Sequence, residues 1–353
     1  MKVLIRSLID NWRVDFHALF SEDNCFDSKA EAGSKTMSKV MTIGEILVEI
    51  MAARRGQTFR EPGLLKGPYA SGAPAIFIDQ VAKLGQRAGI IGCVGDDDFG
   101  LLNIERLKRD GVDISAIHIV KQATTGSAFV TYREDGERDF VFNIANSASS
   151  HLSASHVDAK VLKDCHHFHV MGSSLFSFRI IDATKKAIDI VKAQGGTISF
   201  DPNIRKEMLR IAEMRDALRY VLEFTDIFLP SGHEVTLLAE SPDEAGAVQE
   251  LRALGVKEFV IKRGAKGASY FGAGQRIDVP ALSVNDIDPT GAGDCFGATF
   301  ITCRLKGQAP AQALQYANAA GAAAVGQVGP MEGTADFSTL DALLAKATSE
   351  LTR

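Results

Sequence analysis

A glycine-rich segment near the C-terminus carries the residues best suited to chemistry. It reads Asp-Pro-Thr-Gly-Ala-Gly-Asp over residues 288–294 and leads into an apolar run that predicts a helix through about Leu305. Glycines at a helix start let the backbone approach a ligand closely, and the N–H groups there attract anions. The amides of Gly291–Asp294 can therefore hold charge that develops on a phosphoryl group. The Asp294 carboxylate, in the first helical turn, can take a proton from an attacking hydroxyl.

This segment has a simpler interpretation as well. Asp288 and Asp294 can merely cap the helix and complement its dipole, and on these residues alone the two interpretations are equally good. A Walker A loop is excluded, because no Gly-Lys-Ser/Thr follows the glycines.

Three further segments place polar or small residues at the ends of predicted strands or on a helix. Residues 201–205, Asp-Pro-Asn-x-Arg, follow a strand end, the edge where α/β proteins bind ligands, and Arg205 can contact substrate or phosphate. A turn followed by a surface arginine is the alternative. Residues 262–267, Lys-Arg-Gly-Ala-Lys-Gly, follow a predicted strand, but by themselves they are only a weak signal of a ligand-binding loop because Gly-x-x-Gly turns are common. The small-residue run 317–322, which contains Asn318, is by itself typical of close helix packing.

Acidic and imidazole side chains elsewhere are ambiguous. Glu49 ends the first predicted strand, where a carboxylate can accept hydrogen bonds from vicinal hydroxyls or can simply be an exposed acid. His167 and His169 share one face of a predicted strand, and His166 takes the other. The sequence positions no Cys, Asp or Glu to complete a metal site with them, so ordinary strand histidines are the preferred interpretation.

Strand-like and helical patterns alternate from Val40 onward and predict the elements that must position these residues. The predicted strands are 40–51, 88–94, 168–171, 197–200, 227–229 and 258–261, and the predicted helices are 74–84, 99–110, 180–193, 214–223 and 244–254. This rhythm, with glycine after most helices, predicts a mostly parallel sheet with helices on both faces.

One region breaks the rhythm. Two alternating strands, 126–132 and 138–143, flank an Asp-Gly turn, and segment 56–69 is rich in glycine and proline without a helical period. Such segments predict an antiparallel flap over a ligand cleft, with a decorative edge hairpin as the alternative.

Composition restricts the class of protein. The chain has 353 residues and a formal net charge of −5, which argues against nucleic acid as a partner. Five scattered cysteines without a Cys-x-x-Cys pair predict reduced thiols in the cytoplasm, and no apolar stretch is long enough to predict a membrane span. Residues 1–36 are polar and end in a linker-like run, so they are predicted to be an extension that carries no chemistry.

From about Val40 to its C-terminus the chain resembles the ribokinase-like (PfkB) carbohydrate kinases. Residues 288–294 are similar to the C-terminal signature of that family, and 71–100, from Ser-Gly-Ala-Pro-Ala to Asp-Asp-Asp-Phe-Gly, are similar to the N-terminal one. The resemblance implies a three-layer α/β/α domain over residues 37–350, with a small β-sheet lid from about 54–70 and 124–145. It also implies an ATP-dependent sugar kinase whose Mg²⁺ arrives with ATP. Dependence on a monovalent cation such as K⁺ is left open.

The resemblance also assigns roles to individual residues. It assigns catalysis to Asp294 as base, to the anion hole of Gly291, Ala292 and Gly293, and to Arg205. It assigns sugar contacts to Glu49, Gly72, Ala73, Arg205 and Asp294. It assigns nucleotide contacts to Lys262, Gly264, Gly267, Thr290, Gly291, Gly293 and Asn318. It assigns Mg²⁺, reached through water, to Glu234.

Departures from the family pattern bear on the substrate. Ile76 and Ser231 stand where relatives have asparagine, and the flap end 142–148 lacks the arginine that 2-keto-3-deoxygluconate kinases place there. A buried carboxylate without a cation would be costly, so a neutral, fructose- or tagatose-like ketose is predicted. A cation for a sugar acid could still come from Arg133, Arg138 or Arg179. A 2-keto-3-deoxygluconate kinase, a nucleoside kinase and a non-catalytic sugar or nucleotide sensor stay open, as does a homodimer through the lid.

Overall fold

Two β-sheets organise the part of the chain that the computed structural model describes, residues 38–135, 138–204 and 212–351. The larger sheet contains Lys39–Ile43 (β1), Arg87–Gly95 (β4), Val112–Asp113 (β5), Ile117–Val120 (β6), Cys165–Met171 (β9), Thr197–Asp201 (β10), Ile227–Phe228 (β11), Glu258–Lys262 (β12), Ala268–Gly272 (β13) and Gln275–Val279 (β14). The smaller sheet, called the lid sheet below, contains Leu47–Ala52 (β2), Leu65–Ser71 (β3), Gly126–Tyr132 (β7) and Arg138–Asn143 (β8).

Helices connect and cover these strands. They are Ala73–Lys83 (α1), Asp98–Arg109 (α2), Phe178–Ala193 (α3), Ala212–Phe224 (α4), Glu234–Leu237 (α5), Glu244–Ala253 (α6), Ala292–Leu305 (α7), Pro310–Val325 (α8) and Phe337–Leu351 (α9). Within the described ranges, no helix is both long enough and apolar enough to cross a membrane.

The larger sheet is mostly parallel. Its order is β14-β13-β12-β11-β10-β9-β1-β4-β5, with β6 also paired to β4. Neighbours are parallel from β12 to β5, whereas β13 and β14 run antiparallel to their neighbours. The lid sheet has the order β3-β2-β7-β8, in which a parallel pair joins two antiparallel ones.

Helices cover both faces of the larger sheet because its strands are apolar on both faces. Successive strand residues point in opposite directions, so Met41 and Ile43 pack in one core and Val40 packs in the other. Helices α3, α4 and α6 complete the first core, and α1, α7 and α8 complete the second. The predicted three-layer α/β/α fold with a small additional sheet is therefore confirmed.

The first predicted strand is wrong in one respect. The sequence predicts one strand over 40–51, whereas the chain leaves the larger sheet after Ile43 and enters the lid sheet at Leu47. A continuous apolar run hides this break, because hydrophobic periodicity does not show a change of sheet. The segments predicted as the lid, 54–70 and 124–145, contribute β3, β7 and β8, and the unexpected member of the lid sheet is β2.

The predicted hairpin has the predicted strand boundaries. Tyr132 pairs with Arg138 at the end of the β7–β8 ladder, next to the turn. Gly136 and Glu137 of the predicted Asp-Gly turn lie outside the described residues. The other predicted strands and helices are present, with ends shifted by a few residues.

A buried network around Arg106 of α2 joins three parts of the chain. Its guanidinium lies 3.4 Å from Asp79 of α1 and 2.6 Å from Asp110, and it donates a 3.1 Å hydrogen bond to Thr334. Thr334 in turn donates to Asp79 over 2.8 Å. Burial raises the pKa of Asp79 to about 7, although the positive charge of Arg106 opposes the rise. The network fixes loop 329–335, which lies against the glycine-rich segment.

We expect Arg106→Leu to lower the free energy of unfolding by about 3–5 kcal/mol, because buried Asp79 would lose its guanidinium partner and loop 329–335 would lose the hydrogen bonds that Arg106 donates to Met331 and Thr334. Urea denaturation followed by circular dichroism measures this loss. Arg109→Leu is the matched control, since the Arg109 side chain is 67% exposed, and its expected effect is within about 0.5 kcal/mol. Similar stability of both variants would contradict the structural role of the network.

Candidate active site

A cavity of about 410 Å³ lies between the lid sheet and the ends of strands in the larger sheet. Ser173 and Asn203, which follow β9 and β10, line it from the body, and Gly291 and Asp294 line it at the start of α7. This is the carboxyl edge of the parallel strands, where α/β folds place their ligands. The lid sheet closes the opposite side.

The glycine-rich segment forms the start of α7. Gly291 precedes the helix with φ 81°, and a Cβ added there would lie 2.4 Å from the Pro330 carbonyl oxygen. Only glycine fits this close approach without strain. The first N–H groups of a helix have no partner within it, and the helix dipole favours an anion beside them. The arrangement suits a phosphate group at Gly291, Ala292 and Gly293.

Asp294 lies in the first turn of α7, where it is half-buried and lines the cavity. Burial raises its pKa well above the ordinary value, and the negative charge of Asp201 adds to the rise. Lys262 opposes the shift, whereas Glu45 and Glu49 reinforce it. A carboxylate with a raised pKa is a stronger base, which suits proton removal from a hydroxyl.

A buried ion pair between Lys262 and Asp201 lies beside the same helix start. The Lys262 ammonium is 3.7 Å from the point that a Cβ on Gly293 would occupy. Burial raises the pKa of Asp201 to about 6, and the charge of Lys262 limits that rise. Lys262 therefore brings a positive charge next to the site where the helix start would hold phosphate.

Two glutamates give the cavity its hydrogen-bonding character. Glu49 of β2 accepts a 2.7 Å hydrogen bond from Ser71, and Glu45 accepts hydrogen bonds from Ser174 (2.5 Å) and Ser173 (3.4 Å). Both glutamates are buried, and both line the cavity. Ionised carboxylates accept several hydrogen bonds, so the pair suits the hydroxyls of a polyol.

The structure brings six of the predicted residues to this cavity. They are Glu49, Gly72, Ala73, Thr290, Gly291 and Asp294. Ile76, which departs from the family pattern, also lines it. Arg205 lies outside the described residues, so its predicted role stays a prediction.

The remaining nucleotide-side predictions lie away from the cavity lining. Gly264 and Gly267 form the turn after β12, where the Gly267 N–H donates to the Gly264 carbonyl over 3.0 Å. Asn318 is buried in α8, and its amide donates to the carbonyls of Val279 (3.3 Å) and Pro280 (2.9 Å). This bond ties α8 to the chain that follows β14.

Glu234, predicted to act on Mg²⁺ through water, is buried and held by the protein. One carboxylate oxygen accepts a 2.7 Å hydrogen bond from the Ile204 N–H, and the other accepts from the N–H and hydroxyl of Ser231. Ser231 therefore fixes the glutamate that follows it. Over the described ranges, no three His, Cys, Asp or Glu side chains gather into a site that could hold a metal ion.

The strand histidines are packed as parts of the sheet. His167 and His169 are buried, and a ring nitrogen of each lies 2.7 Å from the Ser199 hydroxyl. The His169 ring stacks on Phe77 with centroids 3.6 Å apart. Burial lowers the pKa of His167 to about 4, so this ring is neutral near pH 7.

Sequence reasoning missed several residues of the cavity. Glu45 was hidden in the break between β1 and β2, where the Gly-Glu step could have signalled an end to the strand. Phe140 and Phe142 come from β8, and Phe176 comes from the chain after β9. Arg138 of β8, considered above only as a cation for a sugar acid, lines the cavity as well. No local motif marks these side chains, because the lid sheet brings them to the cavity through long-range pairing.

Comparisons with known proteins identify the family. The sequence profile of the pfkB family carbohydrate kinases matches residues 37–336. Fructokinase-2 from Zea mays is 31% identical over 319 residues, which cover 87% of this chain and 94% of that protein. The chain therefore belongs to the pfkB family, and it is an ATP-dependent carbohydrate kinase.

Solved structures agree with this assignment. A "putative Ribokinase II" from E. coli, in complex with ATP and Mg²⁺, is 58% identical with a TM-score of 0.86, covering 88% of this chain and all of that one. A double mutant of fructokinase from Vibrio cholerae O395, in a form that binds fructose, ADP and potassium ion, is 26% identical with a TM-score of 0.76. That match covers 88% of this chain and 100% of the fructokinase.

We expect Gly291→Ala to lower kcat at least tenfold, roughly, because the Cβ would push the helix start away from Pro330 and displace its amides. Steady-state kinetics measure the change. Gly307→Ala is the matched control, since Gly307 has the same φ of 81° but no atom within 4 Å of its added Cβ. We expect the control to cost about 1–2 kcal/mol of stability and to keep normal turnover. Equal turnover of the two variants would show that the contact with Pro330 is not needed.

Proposed function

We propose that this kinase transfers the γ-phosphate of ATP to a primary hydroxyl of a neutral ketose, fructose- or tagatose-like. The observation that carries the proposal is the position of Asp294, which shares one cavity with the helix start at Gly291 and with the hydrogen-bonded Glu45 and Glu49. The similarity of the chain to Fructokinase-2 from Zea mays supports the choice of a ketose.

In the proposed mechanism, Asp294 takes the proton of the sugar hydroxyl as its oxygen attacks the γ-phosphorus. The bond from that phosphorus to the β-phosphate oxygen breaks, and ADP leaves. The amides of Gly291, Ala292 and Gly293 stabilise the charge on the transferring group, and Lys262 adds a positive charge beside them. Arg205 is proposed to add a further cation. The lid sheet excludes water, which would otherwise hydrolyse ATP.

Sugar recognition is proposed to rest on the acidic side of the cavity. Glu49 and Glu45 accept hydrogen bonds from sugar hydroxyls, and Gly72 and Ala73 leave room for the ring at the start of α1. A substrate carboxylate would meet the like charges of these acids, which disfavours a sugar acid such as 2-keto-3-deoxygluconate. Arg138, one of the three arginines named as a cation for a sugar acid, does line the cavity, but it is held by its hydrogen bond to Thr290 beside the helix start. The neutral ketose is therefore preferred.

The nucleotide is proposed to lie on the side of the anion hole (Gly291, Ala292 and Gly293) that faces away from the sugar cavity. The complex of the E. coli protein with ATP and Mg²⁺ supports both ligands here, and the potassium ion of the Vibrio fructokinase supports a monovalent cation. When bound, Mg²⁺ neutralises charge on the phosphates. Glu234 fits a role through water rather than direct ligation, because the protein already donates to both of its oxygens. The proposed nucleotide contacts are Lys262, Gly264, Gly267, Thr290, Gly291, Gly293 and Asn318.

Two organisational proposals accompany this function. Residues 1–36 are proposed to lie outside the kinase domain 37–350 and to be dispensable for turnover. A homodimer through the lid sheet is also proposed, because its edge strands expose apolar side chains, Leu65 on β3 (47% exposed) and Val141 on β8 (57% exposed).

Release of ADP from Mg-ATP, measured over a panel of sugars, tests the proposed function. The panel contains D-fructose, D-tagatose, 2-keto-3-deoxygluconate, ribose and adenosine. We expect turnover with a ketose, at a kcat/KM at least tenfold, roughly, above that for ribose, because a pocket built to bind hydroxyls rejects analogues that leave its polar groups unpaired. Turnover confined to the keto acid or to adenosine would replace the ketose by a sugar acid or a nucleoside.

We expect Asp294→Asn to lower kcat by at least ~10²-fold while it largely keeps sugar affinity, because the amide cannot accept the proton. In the wild-type enzyme, kcat/KM should fall as the pH drops through the raised pKa of Asp294, since only the ionised carboxylate acts as base. Initial rates between pH 5 and pH 9 measure both effects. Near-normal turnover of the variant would refute the assignment of Asp294 as base.

A further inference from the structure

The end of the lid hairpin touches the glycine-rich segment. Arg138 of β8 donates a 2.8 Å hydrogen bond from Nη1 to the Thr290 hydroxyl, across 152 positions of sequence. The Thr290 hydroxyl in turn donates to Asp288 over 2.7 Å. Tyr132, the cross-strand partner of Arg138, lies close to the same aspartate: burial raises the pKa of Tyr132, and the negative charge of Asp288 adds to the rise. The lid therefore meets the segment that begins α7.

The charge of the cavity gives this contact a chemical meaning. Among the described residues that line it, Glu45, Glu49 and Asp294 are acids and Arg138 is the one cation. A transferring phosphoryl group carries its charge on three equatorial oxygens, and it must approach Asp294 for the sugar hydroxyl to attack it. The three carboxylates oppose that approach, whereas a cation on the lid side attracts it.

The geometry of the arginine suits this task. Its side chain stands over the Phe140 ring, with the guanidinium carbon 5.6 Å from the ring centroid, and its hydrogen bond to Thr290 fixes it next to Gly291. A guanidinium is planar, stays charged and presents five N–H donors, of which the bond to Thr290 uses one. It can thus bind Thr290 and phosphoryl oxygens at once.

We propose that Arg138 is a catalytic cation carried by the lid sheet, which contacts the transferring phosphoryl group when the lid meets the loop at Thr290. The proposal rests on the proposed sugar-kinase reaction. Arg138 exchanges no proton: it donates hydrogen bonds to phosphoryl oxygens while the sugar oxygen–phosphorus bond forms and the bond to ADP breaks. Full charge stabilisation then requires the lid sheet to be in contact with the loop at Thr290.

The test compares Arg138→Met with Arg133→Met by steady-state kinetics with the ketose turned over in the panel. We expect Arg138→Met to lower kcat about 10³-fold, the lower end of the effect of arginines that stabilise phosphoryl transfer, while both KM values change less than about threefold. Arg133 lies in the same hairpin but pairs with Asp139, and both side chains are more than half exposed. We therefore expect Arg133→Met to keep normal turnover.

A second readout distinguishes a direct contact of Arg138 with the phosphoryl group from a structural tie, in which Arg138 only holds the lid sheet against the loop at Thr290. Added guanidinium chloride, at millimolar concentrations that leave the wild-type rate unchanged, should restore part of the turnover of Arg138→Ala but not that of Arg138→Met, whose side chain fills the space. Lack of rescue in Arg138→Ala, with the fold intact by circular dichroism, would reduce Arg138 to a structural tie and overturn the proposal.

A third readout does not depend on sugar turnover. Isothermal titration calorimetry measures binding of ADP with Mg²⁺ and aluminium fluoride, which mimics the transferring phosphoryl group, and of ADP with Mg²⁺ alone. We expect Arg138→Met to weaken only the first, at least tenfold, roughly. Equal affinity of the wild type and the variant for the mimic would overturn the role of Arg138. If the wild type turned over no sugar of the panel but still bound the mimic more tightly than the variant, only the proposed sugar would be rejected.

The steady-state kinetics have one further outcome. A raised KM for the sugar at unchanged kcat would make Arg138 a sugar contact and likewise overturn the proposal.

Discussion

The close contact between Gly291 and the Pro330 carbonyl is the constraint on which the site depends. It lets two loops distant in sequence, 288–291 and 329–335, pack without a side chain between them. Asp288 reinforces the contact, because its carboxylate accepts hydrogen bonds from Thr290 N–H (3.1 Å) and Gly329 N–H (3.0 Å). Arg106 then anchors the second loop to α1 and α2. The direction of the α7 start is thus set by packing that reaches well beyond the cavity.

Negative charge exceeds positive charge around the start of α7. Asp201, Glu234 and Asp294 lie near one lysine, Lys262, and burial leaves little water to screen them. Lys262 keeps its charge because the surrounding acids raise its pKa, although burial acts against this. Burial and the excess negative charge raise the pKa of Asp294, so this carboxyl group holds its proton more tightly than an exposed aspartate would. One cluster of charges therefore places a carboxyl group of raised pKa beside a fixed cation.

Sequence alone predicted the parts of the fold and site that local chemistry determines. The glycines before α7 and the acid in its first turn are such a case, because helix-start chemistry is local. The β1–β2 break was missed because residues 40–51 are apolar on both sides of it. Arg138 was considered only as a charge for a sugar acid, since no rule of spacing links β8 to residue 290. Contacts of this kind come from sheet pairing, which the pattern of one strand does not contain.

The break between β1 and β2 has a consequence for how a sugar is held. Glu45 is bonded to serines of the body, Ser173 and Ser174, whereas Glu49, four residues later, is bonded to Ser71 of the lid sheet. A ligand that contacted both glutamates would bridge the larger sheet and the lid sheet. A single water molecule could not contact a glutamate on each sheet and so would not form this bridge. The separation of the two acids would then select ligands by their length.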